Sequence, residues 1–214
     1  ASNLLFQVPP SVPQNYSVAL DPPSNPTGIV VSFTAPATSG GITNYTVTPS
    51  FGSAQTGTAL SYTFTGFTPG NVYTFSGSGT NTGGTGAIAS SSITYYTKPD
   101  APTVSSITLD PPATPTGVNV AFSTNGGTGG GALTYVAIAY DSNLAVVSSA
   151  TGSASPLKIT GLTAGTSYTY RVAASNPSVS SVASAAFGPT TYYTQPVAPT
   201  SISSALSPLS DPTG

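Results

Sequence analysis

An eight-residue motif recurs along this chain at the spacing of a small domain. Residues 21–28 (DPPSNPTG) return as residues 110–117 (DPPATPTG), and residues 207–214 (SPLSDPTG) are a weaker third copy. The first two copies are offset by 89 residues, measured from Pro26 to Pro115. That period exceeds the unit of a solenoid repeat, about 20–50 residues, and is close to a β-sandwich of about 100 residues. The sequence therefore predicts successive small sandwiches.

Short segments of alternating apolar residues predict β-strands in both repeats. Residues 28–33 place Ile29, Val31 and Phe33 on one face of a strand, and residues 117–122 repeat the pattern. Further strands are predicted at residues 42–47, 60–64 and 88–96, and again at residues 132–137, 156–160 and 182–193. Pro, Gly and β-branched residues interrupt every helical window. The predicted fold class is therefore all-β, with antiparallel β-sandwiches joined by short proline-rich linkers.

Composition excludes several classes of function. Charged residues make up 4% of the chain, against about 25% in an average soluble protein. Three basic residues cannot neutralise a phosphate backbone, so nucleic acid is not a predicted partner. No apolar run approaches the roughly 18 residues of a membrane span. The absence of Cys and Met leaves little to oxidise, and few Lys or Arg residues are available to proteases. These features indicate an extracellular or cell-surface location.

Proline-rich junctions separate the repeats. Residues 95–103 (YYTKPDAPT) reappear as residues 192–200 (YYTQPVAPT), and Pro10 and Pro13 mark the same junction earlier. The linker prolines are Pro99 and Pro102, then Pro196 and Pro199. Because proline fixes φ and favours extended backbone, these linkers are predicted to be semi-rigid. The predicted organisation is an extended segment at 1–8, a first domain at 9–98, a second at 99–195, and a third repeat's start or an extended strand at 196–214.

These patterns resemble tandem fibronectin type III-like repeats, the immunoglobulin-like sandwiches of extracellular and cell-surface proteins. The resemblance rests on the linker prolines, on residues 34–36 (TAP) with residues 40–47 (GGITNYTV), and on residues 67–73 (FTPGNVY). It covers nearly the whole chain and is specific for the sandwich, but the fold hosts many functions. No Arg-Gly-Asp tripeptide occurs, so integrin-type adhesion has no support.

The resemblance also assigns structural roles to four aromatic residues. It implies that Tyr73 and Tyr168 are tyrosine-corner residues, whose hydroxyl groups bond back to the backbone. Phe33 and Phe122 stand at the core position where the family usually has tryptophan. These four residues are the predicted structural core.

The residues of catalysis and metal binding are largely missing. Without His or Cys there is neither a catalytic base of the usual kind nor a zinc site. Asp21, Asp110 and Asp211 occupy the same position in successive repeats, so they are predicted to lie a domain apart and to begin turns. Residues 141–143 (DSN) fit a hairpin turn better than a calcium site, and glycine-rich residues 126–131 lack the lysine of a phosphate-binding loop. We predict no enzymatic activity, no cofactor and no metal.

Two asparagines match the N-glycosylation pattern. They are Asn15 in Asn-Tyr-Ser and Asn44 in Asn-Tyr-Thr. Attached glycans would hydrate a surface that has few charges. Both asparagines are therefore candidate glycosylation sites.

A structural role is the first functional hypothesis. Sheet proteins protect exposed edges with charged side chains, and this chain has few of them, so self-association into a filament, sheath or surface appendage is predicted. Residues 1–8 and 200–207 each have the content of one strand. They are either strands donated to neighbouring subunits or flanks of a longer array.

The second hypothesis is a spacer, adhesion or carbohydrate-binding module of a larger secreted or cell-surface protein. Sugar platforms usually present exposed aromatic residues. Six tyrosines are candidates: Tyr16, Tyr62, Tyr95, Tyr96, Tyr192 and Tyr193. Their repeated position favours core and inter-domain packing instead, which leaves the structural hypothesis ahead.

Overall fold

The computed structural model describes residues 7–201. All the regular secondary structure in that range is β-strand, with no helix. The first group contains β1 (Gln14–Asp21), β2 (Gly28–Thr34), β3 (Asn44–Pro49), β4 (Gln55–Gly57), β5 (Ser61–Thr65), β6 (Val72–Asn81), β7 (Gly84–Thr85) and β8 (Ala89–Thr94). The second contains β9 (Thr103–Asp110), β10 (Gly117–Ser123), β11 (Thr134–Tyr140), β12 (Val146–Gly152), β13 (Leu157–Thr160), β14 (Ser167–Ser175) and β15 (Phe187–Thr191). The all-β prediction is confirmed.

Each group forms two antiparallel sheets that face one another. In the first sandwich, β1-β2-β5 form one sheet, and β4-β3-β6 form the other, with β7 and β8 also pairing with β6. In the second sandwich the sheets are β9-β10-β13 and β12-β11-β14-β15. The chain changes sheet between β2 and β3, between β4 and β5 and between β5 and β6, and it does so again at the matching places in the second group. The two groups therefore share one topology.

The cores form where the inward rows of the two sheets meet. Ile29, Val31 and Val47 are completely buried in the first sandwich, as are Val120 and Ile159 in the second. These residues alternate along their strands with exposed or half-buried residues, as a sheet with one buried face requires. Period-two alternation in the sequence therefore corresponds to burial in the structure.

Some strands begin or end away from their predicted limits. Residues 42–43 and 132–133 were predicted to begin strands. In the structure they still belong to the preceding loops, and β3 and β11 begin two residues later, at Asn44 and Thr134. The predicted strand 182–193 is reduced to β15. Before β15, the Oγ atoms of Ser181 and Ser184 accept hydrogen bonds from backbone amides of β14, and this side-chain pairing replaces part of the ladder. The edge strands β4 and β12 are among the strands that were not predicted, because their Ser, Thr and Gln residues carry no clear apolar alternation.

The predicted terminal segments lie mostly outside the described residues. Residues 1–6 of the segment 1–8 and residues 202–214 of the segment 196–214 belong to that part of the chain. Strand donation by either end therefore stays a prediction.

Candidate interaction surfaces

The linker between the sandwiches is hydrogen-bonded to the sandwich that follows it. The Thr97 amide donates to the Gly129 carbonyl at 3.0 Å, and the Asp100 amide donates to the Gly127 carbonyl at 2.9 Å. The Gly127 amide in turn donates to Oδ2 of Asp100 at 2.9 Å. Residues 127–130, which connect β10 to β11, are called the receiving loop of the second sandwich. The linker is thus fixed to this loop through its own backbone.

The same attachment occurs before the first sandwich. Its receiving loop comprises residues 38–41, between β2 and β3. The Ser11 amide donates to the Thr38 carbonyl at 3.0 Å, and the Thr38 amide donates to Oγ of Ser11 at 3.1 Å. Ser11 therefore has the bonding pattern of Asp100, at the 89-residue offset of the repeat.

A buried asparagine holds each linker against its receiving loop. Nδ2 of Asn81 donates to the carbonyls of Val8 at 2.9 Å and Ser39 at 3.1 Å. Nδ2 of Asn176 donates to the carbonyls of Thr97 at 2.9 Å and Thr128 at 3.3 Å. Both side chains are almost fully buried, where an unpaired amide would be costly. Sequence reasoning missed this role, and its only local signal is an Asn at the end of the longest strand in each repeat.

A turn of the first sandwich contacts the receiving loop of the second. We call residues 68–71 and 163–166, which precede β6 and β14, the corner turns. A Cβ atom placed on Gly70 would lie 2.7 Å from the Gly130 carbonyl oxygen, and a Cβ on Gly130 would meet the backbone of Pro69 and Gly70. The two backbones are therefore in direct contact, and only glycine fits at either position.

The linker prolines occupy two different environments. Pro99 and Pro102 are buried, and so are Pro10 and Pro13 at the preceding junction. Pro196 and Pro199 are exposed in residues 7–201. Prolines thus pack where a described sandwich follows them.

Tyr73 and Tyr168 tie the corner turns to the sandwich cores. The Thr68 amide donates to the Tyr73 hydroxyl at 2.9 Å, and the Thr163 amide donates to the Tyr168 hydroxyl at 3.0 Å. The bond from the Thr68 backbone also lowers the pKa of Tyr73. Phe33 and Phe122 are buried in the first and second cores. Each corner turn is therefore hydrogen-bonded to a buried tyrosine of its own sandwich.

The six tyrosines considered for a sugar platform do not form one exposed surface. Tyr62, Tyr95 and Tyr192 are buried, and Tyr16 and Tyr96 are half-buried. Tyr193 is 60% exposed. The hydroxyl groups of Tyr95 and Tyr192 donate to the Pro26 and Pro115 carbonyls. These residues therefore mainly serve packing.

The two glycosylation candidates lie on the first sandwich. Asn15 is exposed at an irregularity of β1, with φ of 49°, and its Nδ2 donates to Oγ1 of Thr34 at 3.2 Å. Asn44 begins β3 and is half-buried. Asn15 thus has the freer side chain of the two.

In the first sandwich, the larger sheet is the one that contains β3, β6 and β8. Its outward face carries hydroxyl groups, and we call it the hydroxyl face. Neighbouring strands pair their side chains: Oγ1 of Thr74 lies 2.8 Å from Oγ of Ser92, and Oγ1 of Thr46 lies 3.0 Å from Oγ1 of Thr56. Its members on β3, β6 and β8 are Asn44, Thr46, Thr48, Thr74, Ser76, Ser78, Thr80, Ser90 and Ser92. This face offers hydrogen-bonding groups without charge.

The equivalent face of the second sandwich mixes apolar side chains with the hydroxyl groups of Thr134, Thr169 and Ser175. Its outward residues include Val136, Ile138 and Tyr140 on β11 and Ala173 on β14. Arg171 lies opposite Ile138 in the ladder. The two sandwiches thus share a topology but present different surfaces.

Besides Asp100, which bonds the receiving loop, the carboxylates of residues 7–201 serve one turn, one ion pair and one long hydrogen bond. Asp110 pairs with Nζ of Lys158 at 2.9 Å. At the matching position Oδ2 of Asp21 accepts a long bond of 3.5 Å from Thr63. Oδ1 of Asp141 accepts bonds from the amides of two residues in its own turn. Residues 7–201 contain no group of three His, Cys, Asp or Glu residues that could hold a metal ion, and no helix long and apolar enough to cross a membrane.

Comparison with known proteins identifies the fold. No protein-family model matches the chain, and no curated protein matches it. The crystal structure of the FN1-FN3 domains of chicken CNTN1 is similar to it, with a TM-score of 0.52 and 15% identity over 85% of this chain and 67% of that one. The fold is fibronectin type III-like. At this identity the similarity concerns the fold alone.

Proposed function

We propose that this chain is a non-enzymatic structural unit of an extracellular filament, sheath or surface appendage. The observation that carries the proposal is that each linker is hydrogen-bonded to the sandwich that follows it. Thr97 and Asp100 are attached to the second sandwich, and Val8 and Ser11 are attached in the same way to the first. An array built from such junctions resists bending, which suits a load-bearing or spacing role.

The surface chemistry supports self-association of these units. The edge strands β4, β5, β8, β12 and β15 contain no charged residue, and the edge strands β1, β9 and β13 contain one each. Charged side chains are a common protection against edge-to-edge pairing. With a formal net charge of only −2, long-range repulsion between copies is weak. Lateral contact between rods is therefore little opposed.

Glycosylation at Asn15 and Asn44 belongs to the same proposal. A glycan on Asn15 would stand at the exposed edge strand β1, where it would block pairing at that edge and leave others open. Mass spectrometry of native peptides covering residues 12–50 tests this directly. Unmodified peptides at both asparagines would remove glycans from the proposal.

Electron microscopy of native, unfractionated material at neutral pH tests the structural role. Ordered filaments or sheets with a regular axial repeat are the expected result. Isolated rods would instead favour the second candidate, a spacer or adhesion stalk of a larger secreted or cell-surface protein. That candidate is supported by the bonded linker, which would also hold a terminal domain at a fixed distance. The carbohydrate-binding variant has less support, because only Tyr193 of the six tyrosines is largely exposed.

A further inference from the structure

We infer that the corner turn of the second sandwich docks onto the receiving loop of the first sandwich in a second copy of this chain. The inference rests on the proposed function and names the contact through which units would join. Its basis is that this chain already contains one example of the contact, between residues 68–71 and residues 127–130. The two matching surfaces, residues 163–166 and 38–41, make no such contact among residues 7–201.

The contact inside the chain is made by backbone and depends on glycine. Gly70 and Gly130 approach so closely that neither position has room for a Cβ atom. Both have positive φ, +90° and +93°, which L side chains adopt rarely. The contact is uncharged, so its specificity comes from shape and from the bonds that orient the receiving loop.

The corner turn of the second sandwich has the same construction as the first. The Gly165 amide donates to the Tyr192 carbonyl at 2.8 Å, as the Gly70 amide does to the Tyr95 carbonyl at 2.8 Å. Gly165 has φ of +77°. A Cβ atom on Gly165 would meet nothing within 4 Å among residues 7–201. This turn has the docking conformation and no described partner.

The receiving loop of the first sandwich is its complement. Gly40 and Gly41 have φ of +51° and +71°, and Gly129 and Gly130 have +66° and +93°. Asn81 holds this loop as Asn176 holds the other. Gly40 and Gly41 are exposed, whereas Gly129 and Gly130 are half-buried beside the preceding sandwich. The loop is thus oriented for the contact, and its accessible glycines mark where a corner turn fits.

The two surfaces lie on different sandwiches of one chain, so each copy carries one of each. Such a heterologous contact does not pair two identical patches, and it propagates into a chain of copies unless it closes into a ring. Inside the chain, the linker raises the effective concentration of the two partners. Two separate copies have no linker to raise this effective concentration. The contact between copies is therefore expected to need concentrated protein or additional lateral packing.

Cysteine trapping detects this contact even when it is weak. The chain has no cysteine of its own, so the double variant Ser39→Cys/Ala164→Cys carries the only two thiols. Ala164 is exposed in the corner turn, and Ser39 lies in the receiving loop. A short bismaleimide added to concentrated 214-residue protein should give a ladder of cross-linked multimers. The matched control, Ser39→Cys/Ala154→Cys, places the second thiol on an exposed loop outside the corner turn. Equal ladders from both pairs would overturn the inference.

A second measurement separates this inference from the proposed function. Ala164→Lys adds bulk and charge to the corner turn without touching the core, and Ala154→Lys is its control. Sedimentation velocity should show association at least about tenfold weaker for Ala164→Lys and unchanged for Ala154→Lys. Polymers that tolerate Ala164→Lys would reject the docking contact and leave the structural role intact. Monomers at every concentration, with no ladder, would reject both.

Discussion

The cores of the two sandwiches solve the same packing problem with different residues. In the first, the ring of Tyr16 covers Gly77 on β6, and a Cβ atom on Gly77 would lie 2.5 Å from that ring. In the second, Val172 occupies the position on β14 that corresponds to Gly77 and is completely buried. In the first core, Tyr16 reaches across from the facing sheet to fill the space above Gly77. In the second core, Val172 fills the corresponding space with its own side chain. The difference teaches that the topology requires a filled volume and not a particular residue.

The first core is also the more aromatic of the two. Phe33 stacks on Tyr16 with ring centroids 5.9 Å apart and contacts Tyr45 at 5.0 Å. The second core relies on aliphatic and small residues, with one close aromatic pair, Phe122 and Tyr135, among the described residues. Aromatic pairs prefer particular geometries, so the first sandwich is expected to tolerate changes in volume less well.

The largest expected effect comes from giving the first core the residue of the second. Gly77→Val should destabilise the first sandwich by about 1–3 kcal/mol or more, because the new side chain meets the Tyr16 ring. Adding Tyr16→Ala removes that ring and should recover part of the loss, so the two changes should be non-additive. Hydrogen exchange with mass spectrometry measures each sandwich separately, and the second sandwich is the internal control. Additive losses would show that Tyr16 and Gly77 do not share a packing site.

Removing the hydroxyl groups of two tyrosines on β14 should change the free energy of unfolding by smaller amounts and in different directions. Tyr168→Phe removes the acceptor of the Thr163 amide and should cost about 1 kcal/mol. Tyr170→Phe removes a buried hydroxyl that has no hydrogen-bond partner among the described residues, and should leave stability equal or slightly higher. Tyr73→Phe should match Tyr168→Phe, which makes it the control in the first sandwich. Denaturant unfolding of the three variants checks the order, and a clear loss in Tyr170→Phe would contradict it.

The smallest effect is confined to alkaline solution. Burial raises the pKa of Tyr16 and of Tyr170 to about 12, above the ordinary value near 10. The folded state therefore retains protons that the unfolded state releases. This contribution is fully present below about pH 10 and is lost as the pH rises from about 10 through about 12. Stability should fall in that window in both sandwiches.

Single variants assign the alkaline effect to its residues. Tyr16→Phe should reduce the pH dependence in the first sandwich, and Tyr170→Phe should reduce it in the second. Tyr193→Phe, which alters a largely exposed side chain, should leave it unchanged. Hydrogen exchange at several alkaline pH values would resolve the two sandwiches. Identical profiles for all three variants would place the effect elsewhere.

The prediction of the fold succeeded where the signal was local. The run from Ile29 to Phe33 needs only its own alternation to indicate a strand with one buried face, and the repeat at residue 110 shows that the pattern occurs twice. The edge strands β4 and β12 escaped prediction because an edge strand buries little and so carries few apolar residues. The sequence also suggested tyrosines as a sugar platform without revealing which of them are buried.

The sequence by itself determined the strands, the repeat and the low charge, because these depend on residue type and spacing along the chain. Only the tertiary structure decided how the sandwiches are joined. Asn81 reaches Val8, and Asn176 reaches Thr97, across 73 and 79 residues of sequence, and nothing near either asparagine predicts its partner. The contact of Gly70 with Gly130 is also a long-range one. Such contacts follow from how complete sheets bring distant loops together, and they decide which surfaces this chain can offer to another copy of itself.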